Sequence, residues 1–319
     1  MKRNLLVLAA LASVILLAGL VLEPNGYVVR ILCIMLLTAS MAQAWNVVGG
    51  FNQISLGHAA FFGIGAYIPT ITQVAYGLSP WLGMGIGIIA AVVLALVLSG
   101  PTMRLKGPYF ALATLAAAEA CRIGASVLKF TGGPQGISVP FVGDSWAMMQ
   151  FRFPGHYLPL FVLLFLVSCT TFAWLTASRY GYFLRAVRDD EQAAEVAGVA
   201  TFRVKLLASV ISAALTAACG TLFAQFTYFI DPETVFSASH VSIRMALVAI
   251  IGGVGTFAGP ILGAFLIVPL EEVLNATLSE EVGGLAPLIF GALLIAVVLL
   301  RPDGLTSLRL PKVLRRPEA

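Results

Sequence analysis

Glu119 and Arg122 stand three positions apart in an otherwise apolar run, so on a helix they share a face and can pair. A charge facing lipid at the centre of a spanning helix costs about 2.5–3.5 kcal/mol on insertion scales. The two must therefore pair, or face protein or water. They either line a transport path or lock one packed helix, and a complementary pair needs no ligand. Arg244, in HVSIRMAL, has no carboxylate within four positions and is the stronger candidate for a translocation path. His240 faces the same side one turn earlier. Ser55 and His58, at i and i+3, have the types of a nucleophile and a base, but no orienting acid stands beside them.

Ser55 and His58 belong to GGFNQISLGHAAFFGIGAY (49–67), a polar, Gly-rich interruption that also holds Gln53. Gly49 and Gly50 read as a helix break, and Asn52, Gln53 and Ser55 as side chains that satisfy backbone groups left unpaired there. Gly132 and Gly133 in TGGPQGI, and Gly252 and Gly253 in IIGGVGTFAGP, read as two further breaks at membrane depth. Such breaks are tolerated only where protein or water surrounds them. VVGGFNQISLGHAAF (47–61) and IIGGVGTFAGPILGAF (250–265) share a pattern of β-branched residues, a Gly pair, a small or polar patch and a new helix. They fit either an internal transporter repeat or Gly pairs that merely permit close packing.

The largest hydrophilic interruption is 178–205. Within it, 184–198 has good helix formers and a stop at Gly198. Its centre carries Ala193 and Ala194 beside Arg188, Glu191, Gln192 and Glu195, where a helix lying on headgroups would carry bulky apolar residues. A helix docking into the groove of another protein fits better.

No HExxH, GxSxG or Gly-Lys dipeptide occurs, so metalloprotease, α/β-hydrolase and Walker A chemistry are excluded, and no catalytic residues or metal ligands are expected. Cys33, Cys121, Cys169 and Cys219 lie scattered in apolar runs and read as small buried hydrophobes.

The elements that must position these residues are membrane helices. Hydrophobic residues make up 59% of the 319-residue chain and charged ones 11%, far too little charge for a soluble surface. The apolar runs approach the roughly 20 residues that cross a bilayer: 5–22, 27–48, 54–76, 81–99, 108–130, 157–176, 206–229, 238–252, 257–277 and 285–300. The first reads as an uncleaved spanning helix, and the eighth is short for a crossing. The fold class expected is an all-α integral membrane protein of about ten transmembrane or re-entrant helices, a single domain over 1–319 with a tail at 301–319. Lys2, Arg3, Arg104, Lys106, Arg179, Arg185, Arg188, Arg203, Lys205 and the basic tail fall on one face, and Asp144, Asp231, Glu233, Glu271 and Glu272 on the other. The positive-inside rule then puts both termini in the cytoplasm. The lipid bilayer is the expected surrounding, and no nucleic acid is expected as a partner.

FNQISLGHAAFFGIGAY (51–67), LKGPYFALATLAAAEACR (105–122), TGGPQGI (131–137), RAVRDDEQAAEVAG (185–198), IIGGVGTFAGPILGA (250–264) and RPDGL (301–305), in this order, resemble the LivM-type permeases of branched-chain amino acid ABC importers. The resemblance implies an ABC importer permease fold in the bacterial inner membrane. It also implies a heterodimer with a LivH-like sibling permease, two LivG/LivF-like ATPase subunits beneath and a periplasmic amino acid-binding protein above. ATP and Mg would be bound by the ATPases, with no cofactor in this chain. The 184–198 helix would then be the coupling helix that sits in a cleft of the ATPase. Gln192 stands where the general pattern has Glu, which leaves open the residue that pairs with the ATPase. The same architecture also serves amides, urea and other amino acids. An ion-coupled secondary transporter is the alternative from another class, with Glu119 as its intramembrane acid.

Overall fold

A computed structural model of the chain describes residues 26–278 except 52 and 106, residues 304–307, and the separate positions 8, 13, 15, 288, 289, 291, 292, 295 and 299. The expected segments 5–22 and 285–300, most of RPDGL and the tail from 308 lie largely outside the described residues.

Helix α1 (Tyr27–Gly49) is followed by α2 (His58–Tyr76), α3 (Pro80–Thr102) and α4 (Pro108–Val127). Short 3-10 turns and β1 (Ile137–Ser138) lead to α5 (Leu158–Ala177). Two short helices, α6 (Arg179–Asp189) and α7 (Glu191–Val196), precede the long α8 (Thr201–Thr227). Strand β2 (Phe229–Ile230) pairs antiparallel with β1. Helix α9 (Pro232–Val235), a π turn at Ala238–Ile243, α10 (Arg244–Gly252) and α11 (Gly259–Leu278) follow.

The boundaries follow from the sequence. Proline opens α3 and α4, where its missing N–H would be unpaired anyway. Gly77, at φ 64°, closes α2 by donating to the Gln73 carbonyl while Leu78 donates to Thr72, a left-handed helix stop that glycine adopts without strain.

Among the described residues, seven helical runs are long and apolar enough to span a membrane: Tyr27–Gly49, Pro80–Thr102, Pro108–Val127, Pro154–Ala177, Thr201–Thr227, Pro232–Gly252 and Gly259–Thr277. Helix α2 is covered by α3 and α8. A Cβ on Gly65 would overlap the Ala217 carbonyl and one on Gly220 the Phe62 carbonyl, so α2 and α8 touch backbone to backbone. Thr221 Oγ1 donates to the Gly65 carbonyl at 2.7 Å across the same crossing. Helix α1 is the central post, packed on α5, α8, α10 and α11. Helix α3 shows Leu82, Ile86, Ile89, Val93, Leu96 and Val97 on its open face, the composition of a lipid-facing surface.

Four expectations are corrected. The eighth crossing is not a short helix but a 21-residue run assembled from α9, the π turn and α10. The run at 184–198 is not one helix. Asp190 leaves helical geometry (φ −158°, ψ 111°) and caps α7 by accepting from the Gln192 and Ala193 amides, as an Asp at a helix start does. Gly132 and Gly133 lie beyond the end of α4, in turns beside the β1–β2 pair, and are not a break within a spanning helix. Helix α8 starts at Thr201, five residues earlier than the apolar pattern indicates, because Lys205 is drawn in by an ion pair.

Candidate functional site

The two ends of the bundle differ in charge. At one end the α1–α2 and α10–α11 breaks meet the α6–α7 hairpin, with Arg104, Arg179, Arg185, Arg188, Arg203 and Lys205 nearby. At the other, β1–β2, Asp231 and Glu233 lie near the start of the eighth crossing.

The two breaks are in contact. A Cβ on Gly50 would come within 2.9 Å of Gly255 Cα. Asn46, buried one turn before the end of α1, accepts from the Gly255 amide at 2.7 Å and donates to the Thr256 carbonyl at 3.0 Å. Both hydrogen-bonding ends of one amide thus hold the second break against the first. Gly253 (φ 124°) and Gly255 (φ 75°) supply the backbone that this turn requires.

The start of α2 is satisfied by other helices and, through Ser55, by its own polar patch. The Leu56 amide donates to Thr114 Oγ1 at 3.0 Å and the Ala59 amide to Ser242 Oγ of the π turn at 2.8 Å. Ser55 Oγ accepts from the Gly57 amide, Gln53 Nε2 points to Met103 Sδ, and Asn52 lies outside the described residues. Ser55 and His58 do not form a nucleophile–base pair. His58 Nε2 lies 2.7 Å from Ser212 Oγ, which itself donates to the Ala44 carbonyl at 2.7 Å. Ser212 has one proton to give, so Nε2 carries the hydrogen and His58 is the donor.

The hairpin at 178–200 has an inner and an outer face. Leu184 of α6 is buried in a small apolar cluster with Val47 and Phe51 at the first break, Phe172 and Leu175 of α5, and Val204 and Ala208 of α8; Phe257 of the second break packs against it. Helix α6 therefore touches both breaks. Arg188 reaches the same turn, its guanidinium 3.8 Å from where a Gly255 Cβ would stand. Of the expected docking residues, Glu191 binds Lys205 Nζ at 2.5 Å and Glu195 accepts from Thr201 Oγ1 at 2.7 Å. Ala194 is buried. Gln192, Ala193, Val196, Ala197 and Gly198 face outward, with Val196 91% exposed.

Glu119 and Arg122 pair at 2.7 Å, and Arg122 also binds Glu233 of α9 at 2.5 Å. Arg244 is not unpaired. Its Nη2 donates to Glu271 Oε2 of α11 at 2.6 Å, a partner 27 positions away that no local spacing could reveal. Together with His240 it lines a cavity of about 340 Å³. Sequence reasoning missed Asn46, Lys205, Ser212, Ser242, Glu233 and Glu271. For the polar ones inside apolar runs, notably Asn46, the signal was a hydrogen-bonding side chain where lipid-facing helices carry none. Cys33, Cys169 and Cys219 are buried and Cys121 partly so, all as free thiols.

A family model described as the permease component of branched-chain amino acid transport systems matches residues 26–298. The chain is 31% identical over 290 residues to the high-affinity branched-chain amino acid transport system permease protein LivM of Escherichia coli, covering 84% of this chain and 67% of that protein. It is 26% identical over 287 residues to the LivH permease protein of Salmonella typhimurium, covering 85% of this chain and 89% of the relative. A probable branched-chain amino acid transport permease protein LivM of Methanocaldococcus jannaschii is 26% identical over 274 residues, 77% of each chain.

Proposed function

Since the chain belongs to the family of branched-chain amino acid transport permeases, we propose that it is the membrane-spanning half of an ATP-driven importer for branched-chain or related amino acids. It pairs with a sibling permease, receives substrate at its acidic end from a soluble binding protein, and rests its basic end on ATPase subunits. That basic end faces the cytoplasm of a bacterial cell, under the positive-inside rule.

The observation that carries the reading is the two-faced hairpin. Its inner face is set against both Gly-rich breaks through Leu184 and Arg188, and its outer face exposes Ala193, Val196 and Ala197 beside Gln192 and Glu195. An ATPase that moves α7 also moves α6, and α6 bears on the turns where the crossings are interrupted. The half-buried Glu191 is engaged by Lys205 and the exposed Glu195 by Thr201, so docking rests on Ala193, Val196 and Ala197. Helix α4 supports a path beside this chain. Among the described residues it is the least covered of the spanning runs, and its open face carries the small Ala116 and Ala120 among Tyr109, Leu112, Ile123 and Val127, with the half-buried Arg122 pair beside them. The ion-coupled alternative loses its acid, because Glu119 is bound to Arg122.

Purification of the chain with its ATPase and sibling subunits, followed by ATP-dependent uptake of tritiated L-leucine into proteoliposomes with binding protein supplied, tests the reading. Uptake without ATP, or driven by an ion gradient, would overturn it.

A further inference from the structure

The cavity that holds Arg244 joins a charged rim to aromatic walls. It starts at Arg30 in the first turn of α1 and runs down that helix to Met41, about 16 Å at 1.5 Å per residue. Its walls are aromatic, with Phe62 and Phe223 at 5.4 Å and Phe161 and Phe226 at 5.2 Å between ring centroids. Its rim carries two cations, Arg30 and Arg244, and two carboxylates, Glu271 and Glu272.

The rim charges are unequally used. Arg244 and Glu271 neutralise each other at 2.6 Å. Among the described residues Arg30 has no carboxylate partner, and Glu272 accepts only from the Tyr27 hydroxyl, at 3.0 Å. Tyr27 and Arg30 lie one turn apart on α1, so the free cation and the free anion border the same stretch of rim. The four charges sum to zero, which opposes entry of an ion with net charge. A carboxylate on Arg30, an ammonium on Glu272 and an aliphatic tail among the phenylalanines satisfy each element at once. A volume of about 340 Å³ lies at the small end of ligand cavities, roughly 300–1,000 Å³.

We infer that this cavity, within the single chain, is a binding site for an α-amino acid with an apolar side chain, held by Arg30 and Glu272. The inference rests on the importer reading and adds a resting place that the reading does not require. The wall at Phe62, four residues into α2, adjoins the first break, so a bound side chain touches the element that the α6 contact moves.

Equilibrium binding of tritiated L-leucine to the permease–ATPase complex in nanodiscs, washed free of binding protein, tests it. Saturable binding is expected, displaced by unlabelled leucine and poorly by 4-methylpentanoate or 3-methylbutylamine, which each lack one charge. Arg30→Gln and Glu272→Gln, both at the rim, are each expected to weaken binding roughly tenfold or more with unchanged gel-filtration behaviour. The inference is overturned if a complex that imports leucine with ATP shows no such binding. Binding indifferent to both substitutions, or a co-purified phospholipid that occupies the cavity and is lost in both variants, overturns it too. A complex that moves no amino acid with ATP instead refutes the importer reading.

Discussion

Lys205 Nζ and Glu191 Oε1, fourteen residues apart, meet at 2.5 Å where the α7 helix joins the foot of α8. Lys205 is almost fully enclosed, with 6% of its side chain exposed, and Glu191 retains 26%. The pair ties the outermost helix of the hairpin to the longest helix of the bundle, so displacement of α7 is carried into α8 rather than absorbed by the loop.

Glu191→Leu strands the Lys205 ammonium in an enclosed site. Removing one partner of a buried pair costs about 3–5 kcal/mol, and the partial exposure of Glu191 puts this one at the low end. A lower melting temperature of the purified complex is expected, with substantial recovery in the Glu191→Leu/Lys205→Met double variant. Equal melting temperatures for wild type and the single variant would show that the pair is idle.

Asn46→Ala leaves the Gly255 amide and the Thr256 carbonyl unpartnered where the breaks meet. An unpaired buried group costs about 1–3 kcal/mol; these two are only partly enclosed, so a loss of thermal stability at the low end of that range, with a loss of uptake, is expected. Asn46→Asp keeps the acceptor for Gly255 and loses the donor to Thr256. Hydrogen exchange at 253–258 should rise in both variants, and unchanged protection there would remove Asn46 from its role as clamp.

Gly65→Ala and Gly220→Ala each drive a methyl group into a carbonyl of the facing helix. Both should sharply reduce folded yield. Gly85→Ala and Gly100→Ala meet nothing within 4 Å and should be neutral or stabilising by up to about 1 kcal/mol. Fluorescence size-exclusion profiles separate the two classes, and similar profiles for all four would contradict the close α2–α8 crossing.

Arg122→Gln removes both contacts of the Glu119–Arg122–Glu233 set. Solvent-exposed pairs contribute about 0–1 kcal/mol, and Glu233 is 75% exposed, so stability should change little. A fall in leucine uptake at unchanged stability is the result expected if the open face of α4 borders the path. Unchanged uptake would reduce the set to a surface lock.

Much of the frame was legible because apolar run lengths and Pro or Gly boundaries are local properties. The helices near 27–48, 81–99, 108–130, 157–176 and 257–277 and the approach of Glu119 to Arg122 follow from spacing along one helix. What escaped was non-local. The Arg244 partner lies on another helix, the two breaks meet through Asn46, and α6 finds its place among residues from four separate segments. The split at Asp190 was hidden for a different reason. Helix propensity favours continuity through Ala and Glu, while a capping Asp wins only when the chain must turn, and the Glu191–Lys205 pair fixes that turn.

The most direct test of hairpin coupling uses Gly198, which adopts φ 86° with nothing within 4 Å of a Cβ. Asparagine tolerates that left-handed geometry, so Gly198→Asn controls for backbone strain while Gly198→Trp adds bulk that no residue of this chain meets. Leucine transported per ATP hydrolysed should be near wild type for the Asn variant. For the Trp variant it should fall to a small fraction, with the permease still folded. A Trp variant that imports leucine and stimulates ATP hydrolysis like wild type would contradict docking through this hairpin.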